Sequence, residues 1–228
     1  MKRLTLSIAA LLVLLVMSIP ASAQPRLGVI GGLNIADVKA DFDDAEMDVS
    51  NKTVFGVGGV VDLRLNKNFS LYAQPMYLQK GALVTQLDTK LDFPFKFAFL
   101  ELPVFLKAEF GNSVRPYLMA GPTVGYLLSA DTEVEYSGLT FKGDLKEVTE
   151  KIDFGLGFGA GLRYPLSAIS IFVEGRYTLG LVNMQKGGTF TMSAGPITEE
   201  ITWDKEVDAY KNRGIQIMAG VAFALGGR

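Results

Sequence analysis

The dominant pattern along this chain is a two-residue alternation between large apolar and small or polar side chains, which is the period of a β-strand. Most of the segments that show it are 11–16 residues long, whereas strands of soluble proteins usually have about 5–6 residues. A tilted strand needs about 9–11 residues to cross a membrane, so these segments are long enough to span one. The pattern predicts eight strands, at residues 26–36, 52–65, 69–82, 95–110, 115–129, 151–164, 169–181 and 213–225.

The connections between the predicted strands alternate between short and long. Three are short and consist mainly of turn-forming residues: 66–68, 111–114 and 165–168. Four are long: 37–51, 83–94, 130–150 and 182–212. Tight turns at one end and long loops at the other are typical of outer-membrane barrels, whose turns face the periplasm. An even number of strands then places both chain ends on the periplasmic side.

Five of the predicted strands, the second, fourth, sixth, seventh and eighth, have one bulky apolar face and one small or charged face. In the sixth segment, for example, Phe154, Leu156 and Phe158 alternate with Gly155 and Gly157. A soluble ligand-binding barrel would turn its bulky face inward and would carry many Lys, Glu and Thr side chains outside. The glycine-rich face instead suits the narrow interior of an eight-stranded barrel, and closure pairs every backbone polar group, as lipid requires. We therefore expect an all-β fold: an eight-stranded antiparallel up-and-down transmembrane β-barrel with short periplasmic turns and long outer loops.

The first 23 residues have the pattern of a cleaved signal peptide. Two basic residues precede an apolar run over residues 4–19, Pro20 ends the run, and residues 21–23 are small enough for a cleavage site. The alternative is a single membrane anchor, but the run is short and a cleavage site follows it. We expect residues 1–23 to be removed and residues 24–228 to form one barrel domain in the bacterial outer membrane.

Composition argues against several kinds of chemistry. The 228 residues contain no Cys and no His, so disulfides, thiolate metal sites and histidine bases or ligands are excluded. The sequence has no Gly-x-Ser-x-Gly elbow, and the glycines of 155–161 alternate along a strand instead of forming a dinucleotide-binding loop. The net charge of −2 does not suggest a nucleic-acid partner. We expect no catalytic, cofactor-binding or metal-binding residues.

Charged residues on the small-residue face should point into the lumen, where a poorly hydrated interior requires them to be paired. Nine residues fall on that face: Asp62, Arg64, Glu101, Lys107, Glu109, Asp153, Arg163, Glu174 and Arg176. Four bases and five acids allow nearly complete pairing. They could form a salt-bridged plug that fixes the strand register and blocks flow, or a path for protons or ions. The plug is favoured because eight strands leave little room for water.

Two of the predicted outer loops are acidic. Residues 37–51 carry a net charge of −5 and residues 130–150 a net charge of −4. Such a rim could attract divalent cations and bridge them to lipopolysaccharide phosphates. The simpler interpretation, which we favour, is that the charges keep the loop tips solvated and resist aggregation.

Tyrosines recur within or near the ends of the predicted strands. They are Tyr72, Tyr77, Tyr117, Tyr126, Tyr164 and Tyr177. Membrane barrels place such residues in belts at the two interfaces, although tyrosine also favours strands in general.

Several short motifs resemble one known family. They are GGLN at 31–34, LELPVFLK at 100–107, RPYLMAGP at 115–122, DFGLGFGAGL at 153–162 and EGRY at 174–177. In this order they resemble the PorT-like outer-membrane β-barrel family, common in Bacteroidota, over most of the chain after the signal peptide. The resemblance implies an eight-stranded outer-membrane barrel, and the family's namesake is linked to protein secretion. One departure is the C-terminus, where such barrels often present an aromatic residue to the insertion machinery and the nearest one here is Phe223.

The sequence thus predicts a structural or interaction barrel with a side-chain-filled lumen, acidic extracellular loops and no catalysis. The expected partners are outer-membrane lipid and lipopolysaccharide, the barrel-insertion machinery, and an unknown protein that contacts the loops. The alternative is a transport or secretion-accessory component, acting as a narrow pore or in a PorT-like role. An outer-membrane lipid enzyme is disfavoured by the absence of histidine.

Overall fold

The computed structural model describes residues 25–40, 47–88, 91–136, 138–204 and 210–225, so the predicted signal peptide lies outside the described residues. Within those ranges, no helix is long and apolar enough to cross a membrane. The described chain forms thirteen strands: β1 (Arg26–Ala40), β2 (Met47–Ser50), β3 (Lys52–Arg64), β4 (Phe69–Ala73), β5 (Met76–Gln86), β6 (Leu91–Glu109), β7 (Arg115–Tyr136), β8 (Leu139–Asp144), β9 (Ile152–Leu166), β10 (Ile169–Gly180), β11 (Gly188–Ala194), β12 (Ile197–Trp203) and β13 (Tyr210–Ala224).

Antiparallel pairing closes most of these strands into a ring. β1 pairs with β3, β3 with β4 and β5, both of these with β6, and β6 with β7. The ring continues through β9, β10 and β13, and β13 returns to β1. β4 and β5 form one wall strand that is interrupted at Gln74 and Pro75, because proline cannot donate to the ladder. The ring therefore has eight walls, each built on one of the eight predicted segments, which confirms the predicted barrel.

The end of the barrel that carries the short links is called the turn end. The links β3–β4, β6–β7 and β9–β10 lie there, as predicted, and the last of them contains only Ser167 and Ala168. Ser167 takes a φ of 50°, in the left-handed region that such a tight turn requires. The first and last described residues also meet at this end, where the amide of Leu225 donates to the carbonyl of Pro25 at 2.8 Å.

The opposite end, called the hairpin end, contains extended strands where the sequence predicted long outer loops. β5 and β6 continue as a hairpin to Gln86 and Leu91, and β7 continues to Tyr136 and turns into β8. β11 and β12 form a third hairpin, and β11 pairs with β8. The strands β7, β8, β11 and β12 therefore form an outer sheet that rises from the barrel wall. Strands that leave the membrane need no apolar outer face, so their sequence resembles that of polar loops.

The predicted orientation of the two faces is confirmed. Because the exposed large apolar residues lie at alternate positions around the ring, they form a nearly continuous apolar exterior. An exterior of this kind matches hydrocarbon and would be far larger than the apolar patches of soluble proteins. Its members include Leu27, Val29, Leu33, Phe55, Val57, Leu100, Leu106, Leu118, Phe154, Phe158, Leu162, Ile171, Val173, Ile215, Ile217 and Phe223.

The lumen holds more large side chains than the sequence suggested. Tyr72, Phe105 and Tyr117 are buried inside the barrel, and a side chain added at Gly161 would collide with the ring of Tyr117. The small residues of β9 thus make room for rings from other walls, because side chains alone fill an eight-stranded lumen. The interface-belt prediction is therefore wrong for Tyr72 and Tyr117. The other four tyrosines lie at outward-facing positions of their strands.

A β-bulge changes the inward-facing positions of β7 midway along the strand. The register with β6 shifts between Ala98 and Phe99, and Leu128 is the additional residue on β7. On the turn-end side of the bulge the odd-numbered residues of β7 are buried, and beyond it the even-numbered ones are buried. A bulge of this kind breaks the two-residue period, which explains why the predicted strand ended at residue 129.

Candidate functional site: the filled lumen and the outer pocket

All nine charged residues that the sequence assigned to the lumen occupy inward-facing positions. Eight of them are buried, whereas Arg64 is partly exposed at the turn end. The structure does not bring the nine into one network. It distributes them over three clusters along the barrel axis and adds polar partners that the sequence analysis did not name.

The turn-end cluster consists of Arg26, Asp62, Lys107, Glu109 and Arg163. The Lys107 ammonium lies 2.5 Å from Asp62, and Arg26 contacts the same carboxylate at 3.3 Å. Arg163 forms a two-nitrogen contact with Glu109, in which Nε donates at 2.8 Å. These pairs join β1, β3, β6 and β9 across the lumen. Because the charges are buried, each depends on its partner to offset the loss of hydration.

Two further arginines extend this cluster toward the opening at the turn end. Arg115 contacts Glu109 at 3.2 Å and Arg64 contacts it at 3.8 Å. Both are partly exposed, with side-chain exposures of 27% and 31%. Solvent screens pairs of this kind, so we expect them to contribute little to stability.

The central cluster consists of Tyr72, Gln74, Tyr117, Glu174 and Arg176. The hydroxyls of Tyr72 and Tyr117 donate to Glu174 at 3.1 and 2.8 Å, and the Gln74 amide donates to it at 2.8 Å. Arg176 lies 3.6 Å from Glu174 and also donates to Gln74. The Glu174 carboxylate therefore accepts bonds from two other walls in addition to its contact within β10.

Neighbouring side chains complete the environment of the central cluster. Arg176 donates to Gln216 at 2.5 Å and lies 5.7 Å from the centre of the Phe105 ring. Lys107, of the turn-end cluster, lies 4.2 Å from the centre of the Tyr72 ring. Cations over aromatic faces are stabilised by the ring quadrupole. The two clusters are thus in direct contact along the barrel axis.

The outer cluster consists of Lys80, Glu101, Asp153 and Asn212. Lys80 contacts Glu101 at 2.5 Å and Asp153 at 3.0 Å, and Asn212 donates to Asp153 at 2.8 Å. Sequence reasoning named both acids but not Lys80, which is their shared base. The alternation of side-chain size gave no signal for Lys80, because β5 has large side chains on both faces.

The three clusters join the walls through paired charges. Each of the five buried acids contacts a basic side chain. Among the described residues, no group of three or more Asp or Glu side chains is arranged to hold a metal ion. The arrangement is therefore suited to fixing the register of the walls and to excluding water from the lumen.

At the hairpin end, the interior changes from polar to apolar and contains a cavity of about 260 Å³, here called the outer pocket. Its walls come from the ends of the barrel strands and from the inner face of the outer sheet. The lining residues are Val38, Ala82, Val84, Gln86, Phe93, Phe95, Phe97, Thr132, Gln185, Phe190, Met192, Ile201, Trp203 and Tyr210. Sequence reasoning missed this pocket because it assigned all these segments except residues 69–82 and 95–110 to loops.

The acidic character of the predicted loops is only partly described by the structure. Asp37 pairs with Arg213 at 2.5 Å, and the acids of residues 41–46 lie outside the described residues. Asp131, Glu133 and Asp144 are exposed on the outer face of the outer sheet. The solvated-tip interpretation agrees with the exposure of these three side chains.

A closed eight-stranded ring with an apolar exterior and a filled interior defines a membrane-spanning β-barrel. The family model described as outer membrane protein beta-barrel domain matches residues 22–186, more than half of the chain. The chain belongs to this family and is a protein of the bacterial outer membrane. No curated protein matches the sequence.

Solved outer-membrane barrels share the fold at low sequence identity. The outer membrane protein OprG from Pseudomonas aeruginosa is 11% identical, with a TM-score of 0.51, and the match covers 90% of this chain and 98% of that protein. A major outer membrane protein from Thermus thermophilus is 10% identical, with a TM-score of 0.52, and the match covers 88% of this chain and 99% of that protein. At these identities the comparison shows the fold alone.

Proposed function

We propose that this barrel is a non-catalytic structural and interaction protein of the outer membrane, with a lumen that does not conduct ions. The observation that carries the proposal is the central cluster. Glu174 and Arg176 are fully buried, and Tyr72, Tyr117 and Phe105 pack around them. A charge held by this many partners is positioned for structure, because a conducting path needs groups that exchange their contacts with water or with ions.

The outer sheet supports the interaction part of the proposal. Its inner face covers the outer pocket, and its other face presents exposed polar and acidic side chains. These include Asp131, Glu133, Lys142, Asp144 and Glu200. A rigid sheet above the membrane surface can contact a protein partner, or lipopolysaccharide through divalent cations. These partners, and contact of the region around Phe223 with the insertion machinery, are predictions of the proposal.

Single-channel recording in planar bilayers tests whether the lumen is closed. We expect no steady conductance from the folded wild-type barrel. We expect the double variant Glu174→Ala, Arg176→Ala to conduct, because it removes the central pair without leaving one charge unpaired. Tyr177→Ala, an outward-facing change next to Arg176, is the matched control and should remain closed.

Steady conductance of the wild type would contradict the closed lumen and favour the alternative function. In that alternative the protein is a transport or secretion-accessory component, acting as a narrow pore or in a PorT-like role. The observation in its favour is that charged clusters occur at three heights along the barrel axis. Ion selectivity that changes on replacing Lys80 or Glu101 would support it.

A further inference from the structure

The outer pocket has the features of a ligand-binding site rather than of a packing defect. Its volume of about 260 Å³ exceeds that of apolar cavities of about 150 Å³ that hold benzene. The aromatic side chains Phe93, Phe95, Phe97, Phe190 and Trp203 form much of its lining. Pockets for small molecules are typically lined in this way, with a few polar groups that orient the ligand.

Three side chains of the lining have buried polar atoms without hydrogen-bond partners: Gln185, Thr132 and Tyr210. Gln185 is completely buried, and neither the nitrogen nor the oxygen of its amide makes a hydrogen bond. The hydroxyl of Thr132 is likewise buried without a partner. An unpaired buried amide costs on the order of 1–3 kcal/mol. A ligand that both donates to and accepts from Gln185 would remove that cost.

The lining also selects against charge. None of the fourteen lining residues is acidic or basic, so an ionic ligand would lose its hydration without gaining a counter-ion. The nearest buried charges along the barrel belong to the outer cluster, where Lys80, Glu101 and Asp153 pair with one another. The electrostatics therefore favour a neutral molecule.

Access to the pocket is from the hairpin end. Phe93, Phe95, Ile201 and Trp203 are only partly buried, so they form a rim that a ligand can reach. Ala82 and Phe97 are buried at the other side of the pocket. Beyond them the lumen is filled by Phe99, Leu127 and the outer cluster. A molecule that enters the pocket is thus held there instead of passing through the barrel.

From these observations we propose that the outer pocket binds a small neutral molecule with an apolar chain or ring and one hydrogen-bonding head group, which Gln185 recognises. This inference goes beyond the closed-barrel function and does not depend on it. A non-conducting barrel could lack the ligand site, and a conducting barrel could have it.

Trp203 supplies a direct readout, because it is the only tryptophan of the chain and it lines the pocket. The full barrel in lipid nanodiscs would be titrated with 1-octanol, octane, octanoate and octylammonium while its emission is recorded. We expect a saturable change with 1-octanol. Octane should bind more weakly because it leaves the amide unpaired, and the two ions should bind more weakly because they must be desolvated.

Variants separate recognition by Gln185 from general partitioning into lipid. Gln185→Leu should weaken the binding of 1-octanol by about threefold to tenfold and leave octane binding unchanged or stronger. Gln79→Leu, at an outward-facing position of β5, is the matched control and should behave as the wild type. Ala82→Leu reduces the cavity from its buried side and should abolish saturable binding. This variant tests the proposal independently if Gln185→Leu fails to fold.

Three outcomes would overturn the proposal. The first is a non-saturable response to all four probes that is equal in Gln185→Leu and Gln79→Leu, because the probes would then reach Trp203 through lipid alone. The second is tighter binding of octanoate or octylammonium than of 1-octanol, which would exclude a neutral ligand. The third is unchanged saturable binding in a folded Ala82→Leu barrel, which would place the ligand elsewhere.

Discussion

The two halves of the lumen are built on opposite principles. Toward the turn end, buried ions and aromatic rings are packed against one another, and Glu174 alone accepts hydrogen bonds from three side chains. Toward the hairpin end, the lining is apolar, a cavity remains, and the buried Gln185 amide makes no hydrogen bond through either its nitrogen or its oxygen. The half toward the turn end is enclosed by the barrel walls alone, whereas the half toward the hairpin end is enclosed by the ends of those walls together with the inner face of the outer sheet.

This contrast indicates a division of roles. In the filled half each buried acid has a basic partner, although single atoms such as Asp62 Oδ1 and the Gln216 nitrogen make no hydrogen bond. Such pairs hold groups in one arrangement, because a departure would leave a buried charge unpaired. Unpaired groups beside a cavity have the opposite effect, since they leave free energy available for a ligand. The filled half is therefore suited to holding the barrel in one register, and the open half to recognition. The following changes test this contrast, beginning with the largest expected effect.

Replacing Glu174 by Leu should be the most damaging single change. It leaves Arg176 buried without its carboxylate and removes the acceptor of Tyr72, Tyr117 and Gln74, and the loss of one partner of a buried pair costs about 3–5 kcal/mol. The measurement is the free energy of unfolding in urea for the barrel folded into lipid vesicles. Glu200→Leu, an exposed position on β12, is the control and should change stability by less than about 0.5 kcal/mol. Equal effects at the two positions would refute the network.

A methyl group added inside the filled half should also destabilise the barrel. In Gly161→Ala the new Cβ would meet the ring of Tyr117 and the carbonyl of Val173, and overpacking of this kind costs about 1–3 kcal/mol. Gly175→Ala, which points outward and meets nothing within 4 Å, is the matched control. The same urea titration measures both, and a Gly161→Ala barrel as stable as the control would show that the lumen has unused space.

In the half of the lumen toward the hairpin end, removing an unpaired polar group should not lower the free energy of unfolding. Thr132→Val keeps the shape of the side chain and deletes a buried hydroxyl without a partner, so stability should be unchanged or higher by up to about 1 kcal/mol. Ser170→Ala in the filled half, which removes the acceptor of a 3.0 Å bond from Arg163, should be destabilising. The contrast would be lost if the threonine variant were the less stable of the two.

The smallest effect is expected at an exposed ion pair of the outer sheet. Lys142 lies 3.8 Å from Glu133, and both side chains are largely exposed to solvent. Lys142→Ala should change the free energy of unfolding by no more than about 0.5 kcal/mol, and the change should vanish at high salt. A larger, salt-resistant loss would indicate a contact of this hairpin that the exposure of its side chains does not suggest.

The sequence predicted the barrel walls well where their two faces differ strongly. On β9, Phe154, Leu156 and Phe158 alternate with glycine, and a slip of one residue would turn every phenylalanine inward. Prediction was weaker on β5, where Met76, Leu78 and Lys80 face the lumen opposite equally large neighbours. When both faces of a strand are bulky, side-chain size does not show which residues face the lumen, so Lys80 was missed.

The candidate sites could be predicted only in part. The nine charged lumen residues could be predicted because they alternate along their strands with the apolar residues of the outer face. Their division into three clusters could not, because it depends on which walls are adjacent in the ring. The outer pocket requires two hairpins to pair through β8 and β11, with Met192 opposite Gly143. This is a long-range contact of only two residue pairs, and no local pattern in the sequence encodes it.

The seam between β1 and β13 has a consequence for how the chain is made. These two strands, at opposite ends of the sequence, pair through fifteen consecutive residues, from Arg26 opposite Ala224 to Ala40 opposite Tyr210. Until the last strand has emerged, β1 keeps one open hydrogen-bonding edge, and such edges promote association with other chains. Every molecule therefore has a vulnerable interval between export and closure, and a chain that ends prematurely never leaves it.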